Sequence, residues 1–212
     1  MPGAPCPGTP ADMRVHTRHT PGFGVARVML APGEAVQSAA ETLLASSFGV
    51  AESNPRKNGR AVFTAPAEGG WVDLAPLGPG DVYPLELTGS TGWSVHREAV
   101  LARPTTVRLD QTWAPLQQLF GADSGFLEHY SGTGPLVLAA PGPVDSFELS
   151  RGELVTVRPD YVLAYPDTLQ CRLRAVDPSG PQSLRTGEGL VLDFAGPGTV
   201  LVQTRNRRVS RG

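Results

Sequence analysis

The chain has 212 residues and a mass of 22.3 kDa, with 18 Lys and Arg against 20 Asp and Glu, a net charge of −2 and a pI near 6.1. This balance offers a phosphate backbone no overall attraction and argues against nucleic acid as a partner. An apolar share of 40% suits one globular core, and 25 Gly with 21 Pro suits many short strands and turns, which makes all-β the expected class.

Residues 1–20 are rich in Pro, Gly and Thr without periodicity and read as a disordered lead-in. Met1 to Pro7 contains no apolar signal region, and Met13 is an alternative start. His16 and His19 form an H-x-x-H here, but without further ligands or a rigid support they read as solvated. The first strands run from Gly24 to Glu52 with a turn at Pro32-Gly33, and Asn54 to Gly59 is an exposed loop. Val62 to Leu74 reads as a hairpin, and Pro76 to Gly80 leads into strands from Asp81 to Asp110. Val107 and Leu109 alternate there with Arg108 and Asp110, as in a strand with one wet face. Thr112 to Gly125 breaks the pattern: Trp113, Leu116, Leu119 and Phe120 have helical spacing around Pro115. Strands resume at Phe126 and continue to Thr204, with turns at Gly132-Thr133-Gly134, Pro141-Gly142-Pro143, Pro178-Ser179-Gly180 and Gly196-Pro197-Gly198. Residues 206–212 form a basic tail.

One pattern recurs three times. Leu30, Leu87 and Leu149 each precede a Leu-Ala pair at the same spacing, Leu44-Ala45, Leu101-Ala102 and Leu163-Ala164. Val28, Leu85 and Phe147 stand two residues before each leading Leu, and Val36, Trp93 and Val155 six residues after it. A second pattern, strand, Gly-rich turn and strand, aligns Phe126 to Gly134 on Leu190 to Gly198, and on Val62-Phe63 and Gly70 earlier. The expected organisation is therefore one domain over 21–205, built from pseudo-repeats at about 24–74, 81–138 and 143–204. None of these is large enough to bury a face alone.

Catalytic chemistry finds little support. No G-x-S-x-G, phosphate-binding loop or clustered His-x-His occurs, and Glu153, Asp160, Glu188 and Asp193 are scattered, so no enzyme, metal or cofactor is expected. His129 alternates with Leu127 and aligns with Asp193, which places both on the wet face. Cys6 and Cys171 form no disulfide framework, and Cys171, alternating with Leu169 and Leu173, reads as a buried structural thiol. Trp71, Trp93 and Trp113 are the candidates for stacking on a small ligand or glycan. Arg205, Arg207, Arg208 and Arg211 are the candidates for an anionic surface. No segment approaches the roughly 18 apolar residues of a membrane span, and a cytoplasmic location follows.

The ending Gly187 to Asn206, with Leu190-Val191-Leu192-Asp193-Phe194-Ala195-Gly196-Pro197-Gly198 at its centre, resembles the closing signature of the altered inheritance of mitochondria protein 24 family. Leu30-Ala31-Pro32-Gly33-Glu34 and Gly80 to Leu87 match earlier parts of it. The resemblance implies a fold like that of the tryptophan RNA-binding attenuator protein, an antiparallel β-sandwich described as a double-stranded β-helix, with a tendency to form homo-oligomers. It brings no catalytic residues. Mitochondrial members are linked to inner-membrane organisation, but this chain departs from many members of the family in lacking a long Gly-rich insertion near residues 53–60, and has the Trp113 segment instead. The leading expectation is a non-enzymatic, self-associating scaffold, a ring or trimer joined by strand edges, with peripheral membrane contact through the basic tail. A small-ligand or glycan-binding module is the alternative, and an RNA-binding protein or an unrecognised enzyme stands third.

Overall fold

In the computed structural model, residues 13–53, 60–121 and 125–206 are described. The first strands are β1 (Arg14–Arg18), β2 (Val25–Leu30), β3 (Ala35–Ala39), β4 (Leu43–Ser46), β5 (Ala51–Ser53), β6 (Arg60–Thr64) and β7 (Gly70–Leu74). Then come β8 (Asp81–Thr88), β9 (Trp93–His96), β10 (Val100–Pro104), β11 (Val107–Asp110), the helix α1 (Ala114–Phe120) and β12 (Leu127–Ala140). The chain closes with β13 (Val144–Leu149), β14 (Leu154–Val157), β15 (Val162–Pro166), β16 (Gln170–Ala175), β17 (Leu190–Ala195) and β18 (Gly198–Gln203).

The fold is all-β. Three sheets, with every ladder between strands antiparallel, run in the orders β1-β2-β7-β4, β13-β18-β15-β9-β12-β10-β3-β6-β5 and β14-β17-β16, with β8 and β11 also paired to β12. β7 lies between β2 and β4, the C-terminal half of β12 between β8 and β10, and β18 between β13 and β15. Each of these three ladders slips register at one place, between Leu43 and Ala45, Val100 and Ala102, and Val162 and Ala164. The slip coincides with the Leu-Ala pair that the sequence repeats.

Strand alternation does the packing. In β8, Leu85 and Leu87 face inward while Glu86 and Thr88 face out; in β16, Cys171 and Leu173 turn in and Arg172 and Arg174 turn out. The inward residues fill three clusters. Val28, Val36, Phe63, Val72 and Leu74 centre the first; Leu87, Val95, Tyr130, Leu136 and Leu138 the second; and Phe126, Leu127, Val162, Leu192 and Phe194 the third. Each fully buried side chain of this size contributes about 1.5–3 kcal/mol.

α1 forms where helical spacing predicts it. Pro115 sits in the first turn, Leu116 and Phe120 bury one face, and Gly121 ends the helix at φ 79°. Phe120 meets Phe126 edge to face at 5.0 Å.

The structure corrects four expectations. The lead-in does not extend to residue 20, because Arg14–Arg18 pairs along its whole length with β2, Arg14 opposite Met29 and Arg18 opposite Val25. Only Val15 in that strand packs on the core, so its sequence carries no alternation to read. Residues 1–12 lie outside the described residues. Val62 to Leu74 is not a hairpin: β6 pairs with β3 and β5, whereas β7 pairs with β2 and β4. Gly132-Thr133-Gly134 is not a turn either, because β12 runs through it for 14 residues. Gly132 and Gly134 have φ of 121° and 117°, and a Cβ on Gly132 would lie 2.1 Å from the Thr106 carbonyl oxygen. These glycines let one strand change neighbours, from β9 and β11 to β8 and β10, without reversing. The fourth correction, at His129, belongs to the site below. The expected loop at Asn54 to Gly59 lies outside the described residues.

Candidate functional site

A cluster of chemically capable groups gathers on the first half of β12. His129 is only 1% exposed, not on a wet face as its alternation suggests. β12 is covered on both faces here: Leu127 and Tyr130 are buried as well, and the Trp113 ring at the head of α1 stacks on the His129 imidazole at 4.0 Å and 7°. The insertion between Thr112 and Gly125 thus covers the face that would otherwise meet solvent.

His129 Nδ1 lies 2.8 Å from Asp110 Oδ2, and Nε2 lies 2.9 Å from Asp167 Oδ2. Asp110 comes from β11, whose register sets it opposite His129, and Asp167 follows β15, where its N–H donates to the Gly92 carbonyl at 3.0 Å. Gly92 allows the close approach, since a Cβ there would lie 2.3 Å from His129 Nε2. Ionised carboxylates only accept, so both contacts are hydrogen bonds when each ring nitrogen carries a hydrogen. The two aspartates flank the ring from opposite sides and do not converge on one point. Among the described residues no group of three or more His, Cys, Asp or Glu side chains is placed to hold a metal ion. Outside this triad, Ser90, Gln111, Thr112 and Ser131 help line an open recess of about 720 Å³.

The three tryptophans occupy different surroundings. Trp113 is the stacking partner of His129 and lines that recess. Trp71, on β7, lies under the Arg27 guanidinium at 4.0 Å, a cation–π contact. Trp93, on β9, packs against the second core cluster. Of the four candidate arginines, Arg205 is exposed, and Arg207, Arg208 and Arg211 lie outside the described residues.

Cys171 is half-buried and free. Burial first pushes its thiol up to about 12, against the lowering effect of the hydrogen bond with Tyr165. Little thiolate forms near neutrality, so alkylation of the native chain at about pH 8 is expected to be much slower than in denaturant. Equal labelling rates in mass spectrometry would contradict this. Asp193, aligned with His129 in the sequence, is half-buried and held down to about 2, first by Arg174 and then by the Thr156 hydroxyl, which donates at 2.6 Å.

A second feature lies at the ends of two sheets. β4 is bonded to β7 alone and β14 to β17 alone among the described residues, so each presents one open edge. Both carry exposed apolar groups: Leu44 on β4 is 59% exposed, Phe48 just past it is fully exposed, and Leu154 on β14 is 76% exposed. No signal in the sequence marks these as edges, because the Leu-Ala pair at 44–45 is spelled like those at 101–102 and 163–164.

The family model described as mitochondrial biogenesis AIM24 matches residues 15–205. The chain belongs to the AIM24 family. Among solved structures, the X-ray crystal structure of protein SPYM3_0169 from Streptococcus pyogenes superposes on this AIM24-family chain with a TM-score of 0.73. The two are 21% identical, and the match covers 93% of this chain and 95% of the streptococcal one, a likeness of fold. No curated protein matches. Among the described residues, no helix is long and apolar enough to cross a membrane.

Proposed function

We propose that this AIM24-family chain is a non-enzymatic, self-associating scaffold whose copies join through sheet edges. The observation that carries the reading is the pair of open strands β4 and β14 with Leu44, Phe48 and Leu154 exposed on or beside them. Open apolar edges are aggregation hazards that proteins ordinarily cover, shorten or charge. Here they carry apolar side chains, as expected of edges that are covered by a partner.

The internal plan supports the same reading. We take the chain as three copies of one unit in a sandwich of the double-stranded β-helix kind: β2, β3, β4, β6 and β7; β8, β9, β10 and β12; β13, β14, β15, β17 and β18. The three equivalent ladders, slipped at the same Leu-Ala landmark, are the support for that division.

Sedimentation velocity of the native chain over a wide concentration range tests the proposal. A defined homo-oligomer is the expected result, and a monomer at every concentration overturns it. A second reading, a small-ligand or glycan-binding module, draws on the recess beside Trp113 and His129 with its hydroxyl and amide lining. It predicts a thermal shift with a small molecule that Trp113→Ala abolishes.

A further inference from the structure

The units join by a rule that the chain applies twice. The second strand of one unit pairs with the third strand of the next: β3 with β10, and β9 with β15. The registers are equivalent. At the first junction Ala102 faces Ser38, Arg103 faces Gln37 and Pro104 faces Val36; at the second Ala164 faces Val95, Tyr165 faces Ser94 and Pro166 faces Trp93. In both, the Ala of the Leu-Ala pair faces the residue two places after the repeated Val36 or Trp93 position. The second strand of the last unit, β14, and the third strand of the first, β4, are the two that the rule leaves over. Both are open edges among the described residues; β1, β5, β8, β11, β13 and β16 also have one partner each, but β4 and β14 are the two that the rule leaves without one.

We propose that β4 of one copy pairs antiparallel with β14 of a second copy of this chain, repeating the internal junction between molecules. The repeated landmarks set the register: Ala45 faces Val157, Ser46 faces Thr156 and Ser47 faces Val155. This deepens, and rests on, the self-association reading above.

Burial supports the assignment independently of the register. Leu101 and Leu163 are 5% and 0% exposed at the internal junctions, and Ala102 and Ala164 are buried, whereas Leu44 is 59% exposed and Ala45 lies open. A copy docked on β4 would cover both. On the other strand, Ser94 is buried and its equivalent Thr156 is exposed. The register also makes a match that the rule did not require. Asp167 N–H bonds to Gly92 at the second junction, and the equivalent positions between copies are Phe48 and Leu154. The fully exposed ring on one edge meets the highly exposed Leu on the other. Because the two surfaces differ, the contact is head to tail, and successive copies close a ring or extend as a filament.

Disulfide trapping tests the register. In the full chain carrying Cys6→Ser and Cys171→Ala, with folding checked by its melt, Ser46→Cys and Thr156→Cys are prepared as separate proteins and then mixed under mild oxidation. Directly opposed residues lie within disulfide reach, at Cα separations of about 4.5–5.5 Å. Covalent dimer is expected in the mixture and in neither protein alone. Ser46→Cys mixed with Leu154→Cys, a diagonal pair at about 7–8 Å, is expected to remain largely uncrosslinked. Dimers from either variant alone, or preferentially from the diagonal pair, overturn the proposal while leaving self-association standing. An oligomer by sedimentation that gives no bond at Ser46 and Thr156 does the same. A monomer in every preparation overturns both this junction and the reading beneath it.

Discussion

Replacing His129 with alanine is expected to lower the midpoint of thermal unfolding by about 6–12 °C. The side chain is almost wholly buried, ties Asp110 on β11 to Asp167 after β15, and supports the Trp113 ring that heads α1. Truncating a large buried ring to alanine costs about 3–5 kcal/mol, through the cavity left behind and the hydrogen bonds lost. Asp110 and Asp167 keep some access to water, with side chains 33% and 23% exposed, so the cost falls at the low end, near 3 kcal/mol. For a chain of this length each kcal/mol moves the midpoint by about 2–4 °C. Asp110→Asn leaves the ring and the stack in place and should cost less. Calorimetry with Trp fluorescence checks the prediction, since loss of the imidazole changes the surroundings of Trp113. A midpoint within about 2 °C of the native one would show that the triad is solvated in solution.

The same residue marks the limit of reading this sequence. Alternation works where a strand has one wet face: β16 follows it residue by residue, and β8 from Pro84 to Thr88. α1 is legible for a similar reason: Leu116 and Phe120 are one turn apart, and Pro115 favours a helix start. At His129 the wet face is covered by a segment from elsewhere in the chain, and no local period records that. β12 hides a second feature, since Gly132 and Gly134 look like a turn in one dimension but serve as a bend between two sets of neighbours.

Three Leu-Ala pairs stand at one spacing in the sequence, and the structure puts a register slip at each. What they could not disclose is that the first differs in its surroundings. Leu44 reads like Leu101 and Leu163, yet it is exposed and they are buried, because β10 and β15 are each paired on both sides whereas β4 lies at an edge. A recurring sequence pattern tells which strands can pair alike; only the assembled sheets tell which of them lies at an edge. β1 was lost for a different reason, as its order comes from backbone bonds to β2 and from Arg18 reaching Asp73, not from an apolar pattern.

Asp73 supports the second large prediction. Its carboxylate is buried on β7 and accepts three charged hydrogen bonds, from Arg27 Nε and one of its terminal nitrogens at 2.8 Å each and from Arg18 at 2.7 Å. Arg27 holds the carboxyl below its ordinary value of 3.8 more strongly than burial raises it, and Arg18 adds to the lowering. Asp73→Ala removes all three bonds and releases Arg27 from its position over Trp71. Because the arginines are partly exposed and recover water, the expected cost is about 2 kcal/mol, or about 4–8 °C. The pH dependence has a definite sign. A carboxyl whose folded value is depressed contributes stability that is present above its unfolded value and is lost as pH falls through the folded one. The native chain should therefore lose stability as pH drops below about 4, and Asp73→Ala should lose less over the same range. Asp193, held at about 2, keeps part of that acid dependence in the variant. Melts of both proteins between neutral and strongly acidic pH decide the matter: parallel curves would mean that Asp73 carries no linked proton, and converging curves are the expected outcome.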